Sequence, residues 1–172
     1  GEMNLQEKRE LSEKAYAEFA IPSIEAKMRG VYQSALFLKK YPYPIPVLMY
    51  HKIPDQEIQS QHKIYVTKTN FEKHLQFFKS QGFETLTFSQ LEKYKKQEIP
   101  FKEFPQKPLM LTFDDGYRDN LENASPLLKK YGFNAQIFLL ANTDIASNEW
   151  DISKTEPSHE IVSGSDRQRW VL

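Results

Sequence analysis

The stretch that decides the fold is Lys107-Pro108-Leu109-Met110-Leu111-Thr112-Phe113-Asp114-Asp115-Gly116-Tyr117. An apolar strand here runs into two adjacent carboxylates and then into a glycine. A strand delivers its last side chains to one edge of its sheet, and ligands of parallel α/β sheets bind outside those carboxyl ends. The sequence therefore predicts that Asp114 and Asp115 lie where such proteins carry out their chemistry.

The Asp-Asp-Gly triplet by itself has a simpler interpretation as the turn that follows a strand. Asp-Gly is one of the commonest pairs in turns. Neighbouring residues of a strand point to opposite faces, so two aspartates are poorly placed for burial unless a cation, a hydrogen bond or the bend at Gly116 accommodates them. For the triplet alone, the turn is the favoured interpretation.

The longer string resembles a known family. Thr112 to Tyr117, followed by Arg118-Asp119-Asn120, is similar to the first signature motif of the polysaccharide deacetylases, the NodB-homology family of carbohydrate esterases. Val47 to His51 resembles the opening strand of that family, and Tyr131 to Leu139 resembles the strand after the motif. Within the family, the arrangement is most similar to the branch that de-N-acetylates poly-β-1,6-N-acetylglucosamine.

The resemblance implies an α/β fold, a distorted (β/α) barrel of which about the first half is present. We expect a helical N-terminal extension with a proline-rich linker over residues 1–44. Residues 45–172 are then the deacetylase domain, which we expect to be truncated. The alternation of strand and helix patterns along this part independently favours parallel βαβ units.

Composition narrows the classes of function. The chain has 172 residues, equal numbers of acidic and basic side chains and no cysteine. A net charge of zero argues against a partner such as nucleic acid or an anionic membrane. The absence of cysteine excludes disulfides, thiolate metal sites and cysteine nucleophiles. Aromatic residues make up 13% of the chain, which favours a packed domain or a sugar-facing surface over disorder.

No targeting or membrane segment is predicted. The first ten residues are highly charged, and no later run approaches the ~20 apolar residues of a transmembrane helix. Because the chain begins with Gly1, we interpret it as trimmed or recombinant, which is compatible with the removal of an export signal. The family resemblance implies a protein that is extracellular or associated with the cell envelope.

Periodicity predicts the elements. Apolar positions at helical spacing indicate helices over Leu5–Phe19 and Ile24–Leu38, with an extended segment over Tyr41–Pro46. Predicted strands cover Val47–Tyr50, Phe83–Thr87, Leu109–Phe113 and Ala135–Leu140. Capping-box spacing predicts helix starts at Thr69 and Thr87, and Ser125 is predicted to cap a helical turn that begins with Pro126. The stripe of Phe71, Leu75 and Phe78 predicts the buried face of the helix that ends near Gly82.

The resemblance also implies roles for individual residues. Removing an acetyl group from N-acetylglucosamine requires water, activated by a divalent ion and a base, to attack an amide carbon. Asp114 is implied to be the general base and Asp115 a metal ligand. The N–H of Tyr117 is implied to bind the acetyl oxygen, and His51 is a candidate for the substrate pocket. Zinc is the expected ion, with cobalt, nickel or iron as alternatives.

The chain departs from the family where two histidines of a His-Ser/Thr-x-x-His motif complete the metal site. Pro157 to Ser165 resembles the lead-in to that motif, but Gly164 and Gln168 stand where the ligands are expected. The chain is then a fragment, a frameshifted product or a catalytically retired homologue. His159 is a possible substitute ligand, although ordinary surface is its favoured interpretation, and His62 and His74 fall on a loop and a helix away from the site.

Two hypotheses for function remain. The first is a metal-dependent hydrolase that removes N-acetyl groups from an N-acetylglucosamine-containing cell-surface or biofilm polysaccharide. The second is an inactive homologue that acts as an envelope glycan-binding or scaffold protein. Acetate release from an N-acetylglucosamine oligomer discriminates them. Neither hypothesis involves nucleic acid, and the oligomeric state is not predicted.

Overall fold

A computed structural model describes residues 6, 37, 39–41, 44–142, 144–151, 156–162 and 166. The predicted helices over Leu5–Phe19 and Ile24–Leu38 lie outside the described residues except at isolated positions. The chain divides into two compact units, one of residues 1–43 with 92–102 and the other of residues 44–91 with 103–172. The second unit contains the predicted site, and the proposed domain boundary after residue 44 stays a prediction.

Aromatic rings pack together in the first unit. The rings of Phe37 and Phe101 meet edge to face with centroids 5.9 Å apart, and Nζ of Lys40 lies 5.5 Å from the centre of the Phe101 ring. Phe37 and Tyr94 are both buried. Such edge-to-face and cation–π contacts stabilise small aromatic clusters.

A parallel sheet is the centre of the second unit. Its strands are β1 (Val47–Tyr50), β2 (Glu84–Thr85), β3 (Pro108–Asp115) and β4 (Gln136–Leu139). All three partners of β3 run parallel to it: β2 pairs with its first residues, β1 with its middle and β4 with its last four. Pro108 is tolerated because it is the first residue of its strand. β3 is therefore the central strand, and its buried apolar sequence is typical of such a position.

Helices follow the strands as the alternating pattern predicted. They are α1 (Lys68–Ser80), α2 (Phe88–Lys95), a 3₁₀ turn (Phe101–Glu103), a π-helix (Asn120–Ala124) and α3 (Ser125–Tyr131). Among the described residues, no helix has the length and apolarity needed to cross a bilayer. The predicted parallel α/β class is confirmed.

The core lies between one face of β3 and the helix α1. Alternate residues of β3 pack against the predicted stripe of α1, and all six side chains are buried: Phe71, Leu75, Phe78, Leu109, Leu111 and Phe113. Tyr50 from β1 closes an aromatic cluster, with its ring centroid 5.1 Å from that of Phe71 and 5.4 Å from that of Phe113. This cluster fixes β1 and α1 against the central strand.

Helix starts and strand ends differ from the sequence prediction in several places. The helix α1 is capped by Thr67, whose hydroxyl accepts from the N–H of Asn70, rather than by Thr69. The capping box at Thr87 is confirmed, because Thr87 and Gln90 exchange backbone to side-chain hydrogen bonds of 2.9 and 3.1 Å. β2 is shorter than predicted, and β3 continues through both aspartates.

The prediction that Ser125 caps a new helix is wrong. Ala124 and Ser125 already have right-handed helical backbone angles, and the N–H of Ser125 donates to the carbonyl of Asn120. The π-helix thus runs directly into α3. Pro126 has no N–H to donate, and the wider turn before it is the kind of adjustment that accompanies such a missing hydrogen bond.

Both outer strands expose apolar side chains. Val47 and Met49 on β1 are 52% and 63% exposed, and Phe138 on β4 is 51% exposed. Within the described residues, neither strand has a second hydrogen-bonded neighbour. Unpaired strands with apolar side chains are templates for association.

We therefore predict that the 172-residue chain self-associates or folds poorly. Replacing Met49 and Phe138 by lysine is expected to increase the monomer fraction, because charged residues on outer strands oppose edge-to-edge pairing. Sedimentation velocity with thermal unfolding measures both properties. A compact monomer that unfolds cooperatively without these substitutions would contradict the prediction.

Candidate active site at the carboxyl end of the central strand

The end of β3 has an unusual backbone. Asp115 and Gly116 both have positive φ angles, 69° and 75°. The left-handed conformation is disfavoured for residues with a Cβ, although aspartate tolerates it better than most. Asp114 and Asp115 are both partly exposed at this point. Strained residues of this kind cluster at functional sites.

Glycine at position 116 suits the backbone angle, and an added side chain there would also meet Leu139. A Cβ at this position would lie 2.6 Å from Cδ2 of Leu139. Leu139 belongs to β4 and is the register partner of Asp115. Because the close atom is the end of a flexible side chain, Leu139 can rotate away, and the backbone angle is the stronger reason for glycine here.

We predict that Gly116→Ala destabilises the protein by about 1–2 kcal/mol from backbone strain, with a further cost from displacing Leu139. Gly82→Ala is the matched control, because Gly82 has a similar φ of 74° and no atom within 4 Å of an added Cβ. Chemical unfolding measures both. Equal losses for the two variants would mean that the contact with Leu139 does not matter.

Several charged groups act on Asp115. Burial raises the pKa of its carboxyl group, and the charges of Asp114 and Asp151 raise it further. The charges of His51 and Lys52 lower it. The structure thus brings His51, the predicted pocket residue, close enough to Asp115 for an electrostatic interaction.

Three polar side chains after the turn hold the backbone around His51. The amide of Asn120 donates to the carbonyl of His51 at 2.6 Å, and a carboxylate oxygen of Asp119 accepts from the N–H of Ile53 at 2.9 Å. The amide of Asn123 donates to the carbonyl of Ile53 at 2.8 Å. The segment after β1 is therefore fixed to the segment after β3 by hydrogen bonds at three points.

We predict a pH dependence of stability from Asp119. Burial raises its pKa from 3.8 to about 6. Between these two values the folded protein binds a proton at Asp119 that the unfolded chain lacks. The contribution of Asp119 to the free energy of unfolding is therefore fully present below the lower pKa and is lost as pH rises through the higher one. Asp119→Asn removes this dependence.

Urea unfolding of the wild type and Asp119→Asn at about pH 4 and pH 7.5 measures the effect. The difference in unfolding free energy between the variant and the wild type is measured at each pH. This difference is expected to favour the variant more at the higher pH than at the lower. A difference in stability that does not change with pH would contradict the raised pKa.

Tyr117 follows the turn at the end of β3. Its side chain is fully buried, so a direct contact of the ring with substrate is excluded in this structure. Tyr117 pairs with Ile161 in an antiparallel bridge whose two flanking hydrogen bonds are made by Gly116 with Val162 and by Arg118 with Glu160, each 2.9 Å. In such a pair the residue's own N–H points away from the partner strand. The N–H of Tyr117 is therefore not used by this bridge.

The stretch that resembles the lead-in to the histidine motif is docked at the same place. Besides the bridge, Nε of Arg118 lies 2.7 Å from the carboxylate of Glu160, and its Nη1 lies 3.2 Å from that of Asp166. Gly164 and Gln168 lie outside the described residues. Among the described residues, Glu160, Ile161 and Asp166 are held beside the turn after β3.

The histidines divide into different environments. His74 lies on α1, where its Nδ1 is 3.2 Å from the hydroxyl of Tyr50, and His62 is exposed on the loop after β1. His159 is not ordinary surface: its ring packs edge to face on Tyr117, with centroids 6.3 Å apart, and burial lowers its pKa. In the described part of the chain, no three histidine, aspartate or glutamate side chains are grouped to hold a metal ion.

Sequence reasoning missed three buried polar residues of this region. Asn148 binds both backbone groups of His159, with bonds of 2.6 and 3.1 Å. Lys52 and Glu156 form a buried ion pair. No local sequence pattern indicates which polar residues are buried by partners that are distant in sequence. The one local signal was the position of Lys52, directly after the candidate His51 at the end of a predicted strand.

Comparison with known proteins confirms the family resemblance. Residues 101–165, which include β3 and both aspartates, match the family model described as polysaccharide deacetylase. This stretch is similar to polysaccharide deacetylase domains. Deacetylases of this family are hydrolases that act on N-acetyl groups and in general depend on a metal ion.

Curated deacetylases are similar over part of their length. YxkH of Bacillus subtilis (strain 168), assigned to the polysaccharide deacetylases, is 36% identical over 64% of this chain and 37% of that protein. The poly-β-1,6-N-acetyl-D-glucosamine N-deacetylase of Staphylococcus epidermidis is 34% identical over 45% of this chain and 25% of that protein. The chain thus spans 25% to 37% of the length of these two proteins.

A solved deacetylase supports the fold. The de-N-acetylase of Aggregatibacter actinomycetemcomitans superposes with a TM-score of 0.55 at 19% identity, over 73% of this chain and 49% of that protein. At this identity the likeness concerns the fold alone. The predicted partial (β/α) barrel of the deacetylase type is consistent with it.

The described residues do not fit the metal ion of the family by themselves. A zinc ion that activates water takes three protein ligands, commonly histidines. Here the carboxylates of Asp114 and Asp115 are present without a third grouped ligand among the described residues. We therefore assign no reaction step to a metal in this chain.

Proposed function

We propose that this chain carries the carboxylate part of a de-N-acetylase active site for an N-acetylglucosamine-containing polysaccharide. The observation that supports it best is the turn at the end of β3. There Asp114 and Asp115 place two carboxylates inside the segment that matches the family model, and Asp115 and Gly116 both have positive φ angles. The named Staphylococcus epidermidis relative suggests poly-β-1,6-N-acetylglucosamine as the substrate class. A cell-surface or biofilm polymer implies an extracellular or envelope location.

Each proposed site residue has its own role. Asp114 acts as the general base that takes a proton from the attacking water. The backbone N–H of Tyr117 donates to the acetyl oxygen as negative charge develops there. His51, held beside Asp115 by its backbone bond to Asn120, contacts the substrate.

Asp115 is the proposed ligand of a divalent ion, with zinc expected first and cobalt, nickel or iron as alternatives. When bound, such an ion supplies Lewis-acid activation of water and of the acetyl carbonyl. One or two carboxylates favour weak binding with most water ligands retained. The family chemistry therefore requires ligands beyond those that the described residues supply.

The second candidate function is an inactive homologue that binds glycan or acts as a scaffold in the cell envelope. Gly164 and Gln168 at the positions expected for histidine favour it. This candidate needs the fold and its exposed aromatic side chains but not the chemistry of Asp114.

Acetate release from an N-acetylglucosamine oligomer in the presence of zinc tests the proposal. The unmodified chain is expected to release little or no acetate. Gly164→His with Gln168→His restores the family motif and is expected to increase the release. In that background, Asp114→Asn should lower turnover by about 10²–10⁴-fold, the contribution of a general base, without loss of bound metal.

Asp115→Asn is the matched comparison, because asparagine also tolerates the left-handed conformation. It is expected to lose metal first and activity as a consequence. Near-normal acetate release by Asp114→Asn would remove the assignment of that residue as the base. Failure of the restored motif to act, together with retained oligomer binding, would favour the glycan-binding candidate.

A further inference from the structure

An ion pair is buried beside the proposed site. Nζ of Lys52 lies 3.5 Å from Oε2 of Glu156, and neither side chain has any exposed surface. Lysine and glutamate are almost never fully buried unless they are paired. Neither residue has a role in the proposed chemistry, so their burial needs another explanation.

Glu156 joins two segments that are distant in sequence. Its Oε1 accepts from the hydroxyl of Ser60 at 2.7 Å and from the N–H of His62 at 2.8 Å. Burial raises the pKa of Glu156, but these hydrogen bonds and the charge of Lys52 lower it more, to about 2. Glu156 is therefore ionised at neutral pH and attaches the loop after β1 to the stretch that begins at residue 156.

Lys52 also contacts Tyr117. Its Nζ lies 5.2 Å from the centre of the Tyr117 ring, within the range of a cation–π interaction. The carbonyl of Lys52 accepts from the N–H of Val66 at 3.0 Å, which holds the base of the loop. The Tyr117 hydroxyl has no hydrogen-bond partner in the described part of the chain. The ring is therefore positioned through its faces and not through its hydroxyl.

We infer that Lys52 and Glu156 are a positioning pair that holds Tyr117 and residues 156–162 against the carboxyl end of β3. The ammonium group contacts both the carboxylate of Glu156 and the ring of Tyr117, so both contacts act on the segments beside the same turn. A buried ion pair seldom adds net stability compared with apolar residues, but it can favour one arrangement over others. Holding Tyr117 in place also orients its N–H toward the acetyl oxygen of the substrate, and this consequence rests on the proposed function.

Hydrogen exchange of the 172-residue chain tests this inference without substrate or metal. The reporters are the amides of Arg118 and Val162, which bond to Glu160 and Gly116. Lys52→Met and Glu156→Gln each leave one buried charge unpaired, and each is expected to increase exchange at both amides by about a hundredfold. The amide of Leu111, in the centre of β3, is expected to change much less.

The double variant Lys52→Met/Glu156→Gln leaves no unpaired charge but lacks both contacts of the ammonium group, so it is expected to stay less protected than the wild type at Arg118 and Val162. Full recovery of protection would show that the single variants acted only through an unpaired buried charge and would overturn the positioning role. An equal increase at Leu111 in the single variants would show a general loss of stability and would overturn the positioning role. Unchanged exchange at Arg118 and Val162 would overturn it as well.

Two controls make the comparison specific. Lys130→Met with Glu72→Gln removes an ion pair of 2.7 Å whose lysine side chain is 61% exposed, and it should leave both reporter amides unchanged. Tyr117→Phe keeps the ring face and should preserve protection, whereas Tyr117→Leu should increase exchange as Lys52→Met does. Because exchange needs no catalysis, failure of the acetate assay would leave this inference intact, and unaltered exchange would not affect the assignment of Asp114.

Discussion

The reversal of the chain at Asp115 and Gly116 is the constraint on which the rest of the site depends. Two successive residues with positive φ end the central strand and turn the backbone so that Gly116 and Arg118 can bond to residues 160–162. A left-handed residue with a Cβ costs about 1–2 kcal/mol, so the surrounding structure must hold it in place. Here β3 supplies that support, because its residues before the aspartates are buried.

In the unit that contains the site, apolar contacts fix the strands and α1, whereas polar contacts fix the loops. The cluster of Tyr50, Phe71 and Phe113 sets the strands and α1, which places the ends of β1 and β3 next to each other. The loops beyond those ends are then located by buried polar groups, since Asn120 binds the backbone of His51 and Lys52 pairs with Glu156. Apolar packing alone would leave several loop arrangements of similar energy, whereas buried polar groups require particular partners.

The sequence predicted those elements whose signal is local. β1 was found with its observed bounds, and the buried stripe of α1 and the capping box at Thr87 were correct, because alternation, helical spacing and capping are local patterns. The π-helix before α3 was missed because its cause is a change in backbone hydrogen bonding that side-chain periodicity does not indicate. The Lys52–Glu156 pair and the packing of His159 on Tyr117 were missed because they depend on tertiary contacts.

Under the proposed function, the chemistry belongs at the carboxyl end of β3, where the described residues place two carboxylates. The central claim is that Asp114 and Asp115 form an incomplete metal site at the end of β3. Elemental analysis of the dialysed 172-residue chain tests it most directly. The account predicts less than stoichiometric zinc. Equimolar zinc that is lost on Asp115→Ala would contradict it by revealing a further ligand, and His159 would be the first residue to substitute.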